Sequence, residues 1–272
     1  MKVSTRLNRL QEVIGSYQSV LVAFSGGVDS ALVLKVARDI LGRDLAKAVT
    51  ADSEAVPRWE LDLAQKLARE FDVEHRIIKT QELENDQYTS NPENRCYFCK
   101  SELYEALRPI AAEWKLKTIA NGTQLDDLGD YRPGLMAADE RGIKSPLMEA
   151  HLTKLDVREL SLELGLSVWD KPAAPCLSSR FPYGHEITPG KLKQVETGET
   201  FLRQLGFQII RLRHFGTKAR LELGKNEFIR VTDVELRSRI TEFILSLGFK
   251  TVIFEPYQNG ALNKALEEKS SR

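Results

Sequence analysis

Cysteine is scarce in this chain, with three in 272 residues. An odd number gives no closed disulfide framework of the kind small secreted domains use. The four histidines, His75, His151, His185 and His214, form no H-x3–5-H pair, and the single C-x-x-C at Cys96 and Cys99 has no second pair beside it. A zinc finger or ribbon would normally need one or the other. No apolar run approaches the roughly 18 residues of a membrane span, so no membrane partner is expected. Neither sign of charge prevails: Lys plus Arg and Asp plus Glu each number 39, for a formal net charge of zero. That balance speaks against a broad nucleic-acid footprint. Internal repeats and low-complexity segments are missing, and Met1 to Ser16 is charged and amphipathic rather than a signal-peptide core. A cytoplasmic globular protein is the expectation.

What is present is organised around Phe24-Ser25-Gly26-Gly27-Val28-Asp29-Ser30. An apolar stretch with strand character precedes it, and Ala31 to Ala37 follows with apolar residues at helical spacing. A strand, a glycine turn and a helix start place free N–H groups around an anion. Adjacent glycines let the backbone curl closely about a phosphate, and Ser25 and Ser30 add hydroxyls. Asp29 would repel a phosphate unless a cation lay between them, which makes it a candidate magnesium contact or a helix cap. The spacing is neither G-x-x-x-x-G-K-[ST] nor G-x-G-x-x-G. S-G-G-V-D-S resembles the PP-loop of the N-type ATP pyrophosphatase superfamily. That resemblance implies ATP as cosubstrate and release of its β,γ-pyrophosphate intact.

Periodicity predicts a first helix with Leu7, Leu10, Val13 and Ile14 on one face. Strands are predicted over 19–23, 47–51, 73–79 and 117–120, with a helix over 59–71. Strands alternating with helices give an α/β fold with a doubly wound, mostly parallel sheet. In such sheets ligands sit beyond the carboxyl ends of the strands. The PP-loop, Thr50-Ala51-Asp52-Ser53 and Asn121-Gly122-Thr123-Gln124-Leu125-Asp126-Asp127 all lie at such ends. Asp126, Asp127 and Asp130 are candidate magnesium or positioning carboxylates, or else a solvated acidic turn. A helix over 157–164 is followed by a proline-rich connector, Asp170 to Pro175. Beyond it come a helix (188–205), strands (208–213 and 219–223), a helix (234–247) and a strand (251–254). The expected division is a nucleotide domain over 1–170 and a smaller α+β domain over 171–272.

The cysteines admit several readings. A thioredoxin-like C-x-x-C would open a helix just after a strand. Three thiolates could hold a four-iron–four-sulfur cluster with one iron left open, although such ligation normally uses four. Ordinary buried thiols are the bland alternative.

S-G-G-V-D-S, D-Y-R-P-G-L at Asp130 to Leu135 and C-L-S-S-R-F-P-Y-G at Cys176 to Gly184 together resemble the LarE family of ATP-dependent sulfur transferases in nickel-pincer nucleotide synthesis. The resemblance extends to R-L-R at Arg211 to Arg213 and A-R-L-E-L at Ala219 to Leu223. It implies a small-molecule nucleotide substrate, pyridinium-3,5-biscarboxylic acid mononucleotide, whose carboxylates are adenylylated and then converted to thiocarboxylates. It implies that Ser25, Gly26, Gly27, Asp29 and Ser30 hold the ATP phosphates, with Mg2+ near Asp29, and that Gly122, Thr123 and Asp127 adjoin the nucleotide. Cys96, Cys99 and Cys176 match the branch whose three cysteines bind a 4Fe-4S cluster fed by a sulfide source, rather than the branch that consumes its own cysteine. Lys100 and Cys176 are implied near the chemistry, and Ser179, Arg180, Glu199, Arg211 and Arg213 in the substrate pocket. Arginine suits that role because its planar fork matches carboxylate and phosphate oxygens. The resemblance also suggests a homo-oligomer. The competing readings are a tRNA thiolation enzyme, an amide-forming ligase like NAD or GMP synthetase, and a nucleotide-binding module without catalysis.

Overall fold

A computed structural model describes residues 3–129 and 133–258. They fall into two compact units. The first runs to Tyr88 and resumes over Asn94–Ala174; the second combines Thr89–Glu93 with the chain from Pro175 on.

The first unit contains α1 (Val3–Ser16), β1 (Val20–Ala23), α2 (Val28–Leu41), β2 (Ala46–Asp52), α3 (Arg58–Glu70) and β3 (Glu74–Lys79). A one-turn helix, α4 (Asp86–Thr89), precedes the long α5 (Arg95–Glu113). Then come β4 (Thr118–Ala120), α6 (Pro133–Glu140), α7 (Pro146–Glu149) and α8 (Lys154–Glu163). The four strands form one sheet in the order β3-β2-β1-β4, every pair parallel. The expected α/β architecture is therefore the observed one. Side chains of β1 alternate between two cores. Val20 and Val22 pack with α2 residues such as Leu32 and Leu34, while Leu21 packs with Tyr104 and Leu107 of α5. A strand covered on both faces must be apolar throughout, as Val-Leu-Val-Ala is. Each such side chain contributes about 1.5–3 kcal/mol on burial.

Local signals start several helices. Thr153 accepts from the Asp156 N–H while Asp156 accepts from the Thr153 N–H, a capping box that fixes where α8 begins. α3 carries Leu61, Ala64, Leu67 and Ala68 on its buried side and ends as Asp72 turns to φ 51°. α5 was not legible in the sequence. Its N-cap is Asn94 with no side-chain cap bond, and Pro109 lies inside it.

The second unit contains α9 (Pro189–Gln204), β5 (Ile210–Phe215), β6 (Lys218–Leu223), α10 (Val234–Ser246) and β7 (Thr251–Pro256). β5 and β6 form an antiparallel hairpin, and β7 adds parallel to β6. Thr188 caps α9 and Asp233 caps α10 through their side-chain oxygens. The segment Thr89–Glu93 is tied in by Asn91, which is fully buried at φ 55°. Its side-chain amide donates to the Pro182 carbonyl at 2.8 Å, and its own carbonyl accepts from Gly184 N–H at 2.8 Å.

Candidate functional site

The loop between β1 and α2 is braced by its own serines. Ser25 N–H donates to Ser30 Oγ at 3.2 Å, the two hydroxyls lie 3.1 Å apart, and Ser30 Oγ donates to the Gly27 carbonyl at 3.2 Å. Gly27 is the N-cap of α2, with no side-chain cap bond, so the helix start presents backbone donors. Gly26 sits at φ 70°, and a Cβ there would lie 3.1 Å from Ala64. Only glycine fits both the dihedral and the space.

β4 is the neighbour of β1 on the side away from β2, so the sheet changes winding direction between β1 and β4. Ligands of doubly wound sheets sit at that crevice. Gly122 follows β4 there, and a Cβ on it would lie 2.7 Å from Ser30 N. The backbone after β4 is thus pressed against the first turn of α2. Asn121 holds this segment open: its Oδ1 accepts from Thr123 N–H at 2.9 Å and from Ser145 Oγ at 3.0 Å. Asp127 accepts from Gln124 N–H at 3.0 Å and from the Gln124 side chain at 3.2 Å, so its carboxylate organises the turn. Asp126 accepts from Lys154 N–H at 2.8 Å, at the start of α8. Asp130 lies outside the described residues, as do Tyr131 and Arg132 of the D-Y-R-P-G-L motif.

Two lysines that stand outside the sequence motifs meet the loop. Lys154 Nζ donates to both oxygens of Asp29, at 2.7 and 2.6 Å. Lys171 Nζ donates to the Gly26 carbonyl at 3.2 Å and pairs with Glu60. Neither follows the glycines in sequence; both arrive from the far end of the unit, so no local spacing reveals them. At the end of β2, Asp52 is paired with Arg58 and Lys79. Burial would raise its pKa, but hydrogen bonds from Lys79 and Arg58 outweigh burial and hold it below the usual carboxylate range. Beneath the loop, Thr50 Oγ1 donates to the Phe24 carbonyl at 2.6 Å and lies 2.8 Å from His75 Nε2. Burial, aided by the charge of Arg69, lowers the His75 pKa to about 4.

Cys96 and Cys99 occupy the first turns of α5, three residues apart and hence on one face. Cys96 is exposed and Cys99 half-buried, and neither is in a disulfide. This corrects the buried-thiol reading for Cys96: a helix start at the surface, rather than a packed loop, carries it. The pair does open a helix, but α4 and a turn separate it from β3, unlike a thioredoxin-type site. Lys100 follows on the same helix, exposed, with its stem 3.1 Å from where a Cβ on Gly134 would be. Cys176 belongs to the second unit, a half-buried free thiol whose carbonyl accepts from Ser179 N–H at 3.0 Å. Among the described residues no three His, Cys, Asp or Glu side chains are gathered as a metal site.

In the second unit, Ser179, Arg180, Glu199, Arg211 and Arg213 are brought together. Arg180 and Glu199 form a two-pronged pair, Nε–Oε1 2.8 Å and NH2–Oε2 2.9 Å, with side chains 2% and 4% exposed. Burial would lower the Arg180 pKa, but the charge of Glu199 more than reverses this. Arg213 bonds Glu222 at 3.0 Å and the Ser179 carbonyl at 2.8 Å. Arg211 donates to the Ile210 carbonyl at 2.7 Å, and its guanidinium lies 5.3 Å from the Tyr257 ring centre. Burial first, then the nearby charge of Arg180, lowers its pKa to about 10. S-S-R and R-L-R contain Ser179, Arg180, Arg211 and Arg213, and the family resemblance implied Glu199; Glu222, which completes the network, stands unremarked inside A-R-L-E-L.

The NAD synthase family model matches residues 4–103, the stretch that holds β1, the glycine loop and α2. An uncharacterized protein of Synechocystis is 46% identical over 97% of this chain and 99% of its own length. The pyridinium-3,5-bisthiocarboxylic acid mononucleotide synthase of Lactiplantibacillus plantarum is 39% identical over 97% of this chain and 96% of its own. A Methanocaldococcus jannaschii protein is 29% identical over 90% of this chain. Identity at that level over nearly the whole of both chains, on a parallel sheet with a glycine loop after β1, places this ATP-dependent enzyme in the LarE family, that of the pyridinium-3,5-bisthiocarboxylic acid mononucleotide synthase.

Proposed function

We propose that the chain is a sulfur transferase that uses ATP to convert the two carboxylates of pyridinium-3,5-biscarboxylic acid mononucleotide into thiocarboxylates. The observation that carries this is the open loop after β1: backbone donors at the start of α2, beside a lysine held by Asp29. A carboxylate is a poor acyl electrophile, and adenylylation supplies the leaving group. A substrate carboxylate oxygen attacks the α-phosphorus, the bond to the bridging oxygen breaks, and pyrophosphate leaves. A sulfur nucleophile then forms the C–S bond and AMP departs with the acyl oxygen. Lys154 is suited to exchange Asp29 for phosphate oxygens, which frees Asp29 to hold Mg2+. The buried arginines of the second unit are suited to an anionic substrate.

Donor chemistry supports a cluster as the sulfur source. Cys96, exposed, and Cys99, half-buried, lie on one helix face and are suited to be two thiolate ligands, with Cys176 as the third. A cluster held there would supply an exchangeable sulfide. Anaerobic iron and sulfide analysis of wild type and Cys176→Ala tests this. About four irons per chain, lost in the variant, are expected. No iron, with one cysteine losing a sulfur atom during turnover, would overturn the cluster and make that cysteine the donor. Absence of ATP-dependent pyrophosphate release with this substrate would overturn the function itself.

A further inference from the structure

Lys171 has a place in the structure that the reaction scheme above does not use. Its ammonium donates to the Gly26 carbonyl at 3.2 Å, pairs with Glu60 of α3 and lies 5.1 Å from the Trp59 ring centre. The side chains of Lys171 and Glu60 are 13% and 8% exposed, so this is an interior contact. The carbonyl of Gly26 and the N–H of Gly27 belong to one peptide plane. In a trans peptide they point in opposite directions, and this chain has no cis bonds among its described residues. A cation fixing the carbonyl therefore aims the Gly27 N–H the other way, toward the anion side of the loop. It also polarises the peptide, which strengthens that N–H as a donor. Gly27 N–H has only a long bond within the loop, 3.4 Å to Ser25 Oγ.

The same lysine anchors the chain that leads to Cys176. Its carbonyl accepts from Arg158 NH2 at 3.2 Å, and its N–H donates to the Val168 carbonyl at 3.1 Å. Pro172 and Pro175 stand between it and Cys176, and each ring fixes its φ, so the connector has few free backbone torsions.

We infer that Lys171 is a positioning residue: it orients the Gly26–Gly27 peptide for the nucleotide phosphates and ties that orientation to the segment bearing Cys176. The inference rests on the reading of the loop as a phosphate site. ATP pulling on the Gly27 N–H loads the Gly26 carbonyl against Lys171, and a docked connector in turn preforms the loop. Adenylylation and presentation of Cys176 are then coupled through one ammonium.

The test compares wild type, Lys171→Arg, Lys171→Met and Glu60→Gln by ATP affinity and by the alkylation rate of Cys176, resolved by peptide mass, at saturating ATP. ATP should change the Cys176 rate in wild type. Lys171→Met should bind ATP about tenfold more weakly, as expected for loss of a charged hydrogen bond. Once saturated, it should show no ATP effect on Cys176. Lys171→Arg should restore both properties, and Glu60→Gln should fall between. A purely structural lysine would lower stability without separating the ATP effect on Cys176 from ATP binding. Wild-type-like ATP affinity in Lys171→Met, or a Cys176 response that survives in it, would overturn the inference. If Lys171→Met does not fold, Lys171→Arg and Glu60→Gln decide by the same two readouts. Failure of wild type to bind ATP would instead sink the phosphate-site reading.

Discussion

Around the loop after β1, charged side chains stand partly open to solvent: Lys154 and Asp29 keep 33% and 28% exposure. In the second unit Arg180 and Glu199 keep 2% and 4%, and Arg213 and Glu222 keep 7% and 3%. Both regions collect charge, but they hold it differently. An exposed pair is worth little and exchanges partners readily. A buried pair pays desolvation on both ions and is costly to break on one side only. The first arrangement suits a site where a highly charged ligand comes and goes. The second suits a rigid wall whose shape and charge are set at folding.

The largest effect should come from breaking the buried side. Arg180→Met leaves Glu199 charged and unpartnered by its guanidinium, at about 3–5 kcal/mol. Adding Glu199→Leu should return much of that, read by chemical denaturation of the three proteins. Equal losses in the single and double variants would contradict the contrast. On the loop side, Gly122→Ala forces a Cβ toward Ser30 N, a contact of 2.7 Å that backbone must relieve. Pyrophosphate release should fall about 100-fold from displacement of the α2 start, while stability falls by no more than about 1–3 kcal/mol. Lys154→Met should reduce pyrophosphate release by roughly 10–100-fold with little change in melting, because its pair with Asp29 is half-open. A large loss of stability there would place Lys154 with the buried class instead.

The smallest effect concerns pH. Burial, and then the charge of Arg69, lowers the pKa of His75 in the folded chain to about 4 from its ordinary 6.5. The unfolded chain binds the extra proton first, so stability is level above about 6.5 and declines as pH falls toward about 4. The decline should be about 1–2 kcal/mol after allowance for partial solvent access, and His75→Gln should flatten it. Denaturation midpoints at pH 7 and pH 5 measure it.

Much of the first unit was legible because short-range patterns dictate it. A four-residue apolar strand, two glycines and a helix at period 3.6 leave few alternatives, and β1 to β4 fall within a residue or two of their predicted places. The N-G-T segment was legible as a strand end, though not the contact that makes Gly122 necessary. That contact depends on β4 lying next to β1, a sheet order no local pattern encodes. α5 was missed because it begins without a side-chain cap and its apolar residues Leu107 and Ile110 appear only well past the cysteines. Lys154 and Lys171 were missed for a different reason. Each looked like a surface lysine in its own neighbourhood, and each meets the loop only through tertiary folding, more than a hundred residues along the chain.

The pentapeptide Thr89–Glu93 gives the polypeptide an interleaved order of assembly. On a ribosome, Asn91 emerges roughly ninety residues before Pro182 and Gly184, the groups that bond it. It must wait, its amide and carbonyl hydrated, until the later partners are made. A gene cut at residue 174 would therefore not yield two self-sufficient products. The downstream fragment would lack a buried plug, and the upstream one would carry an orphaned loop. Two units joined in this way are inherited together, and recombination that shuffles one without the other leaves a hole in the second.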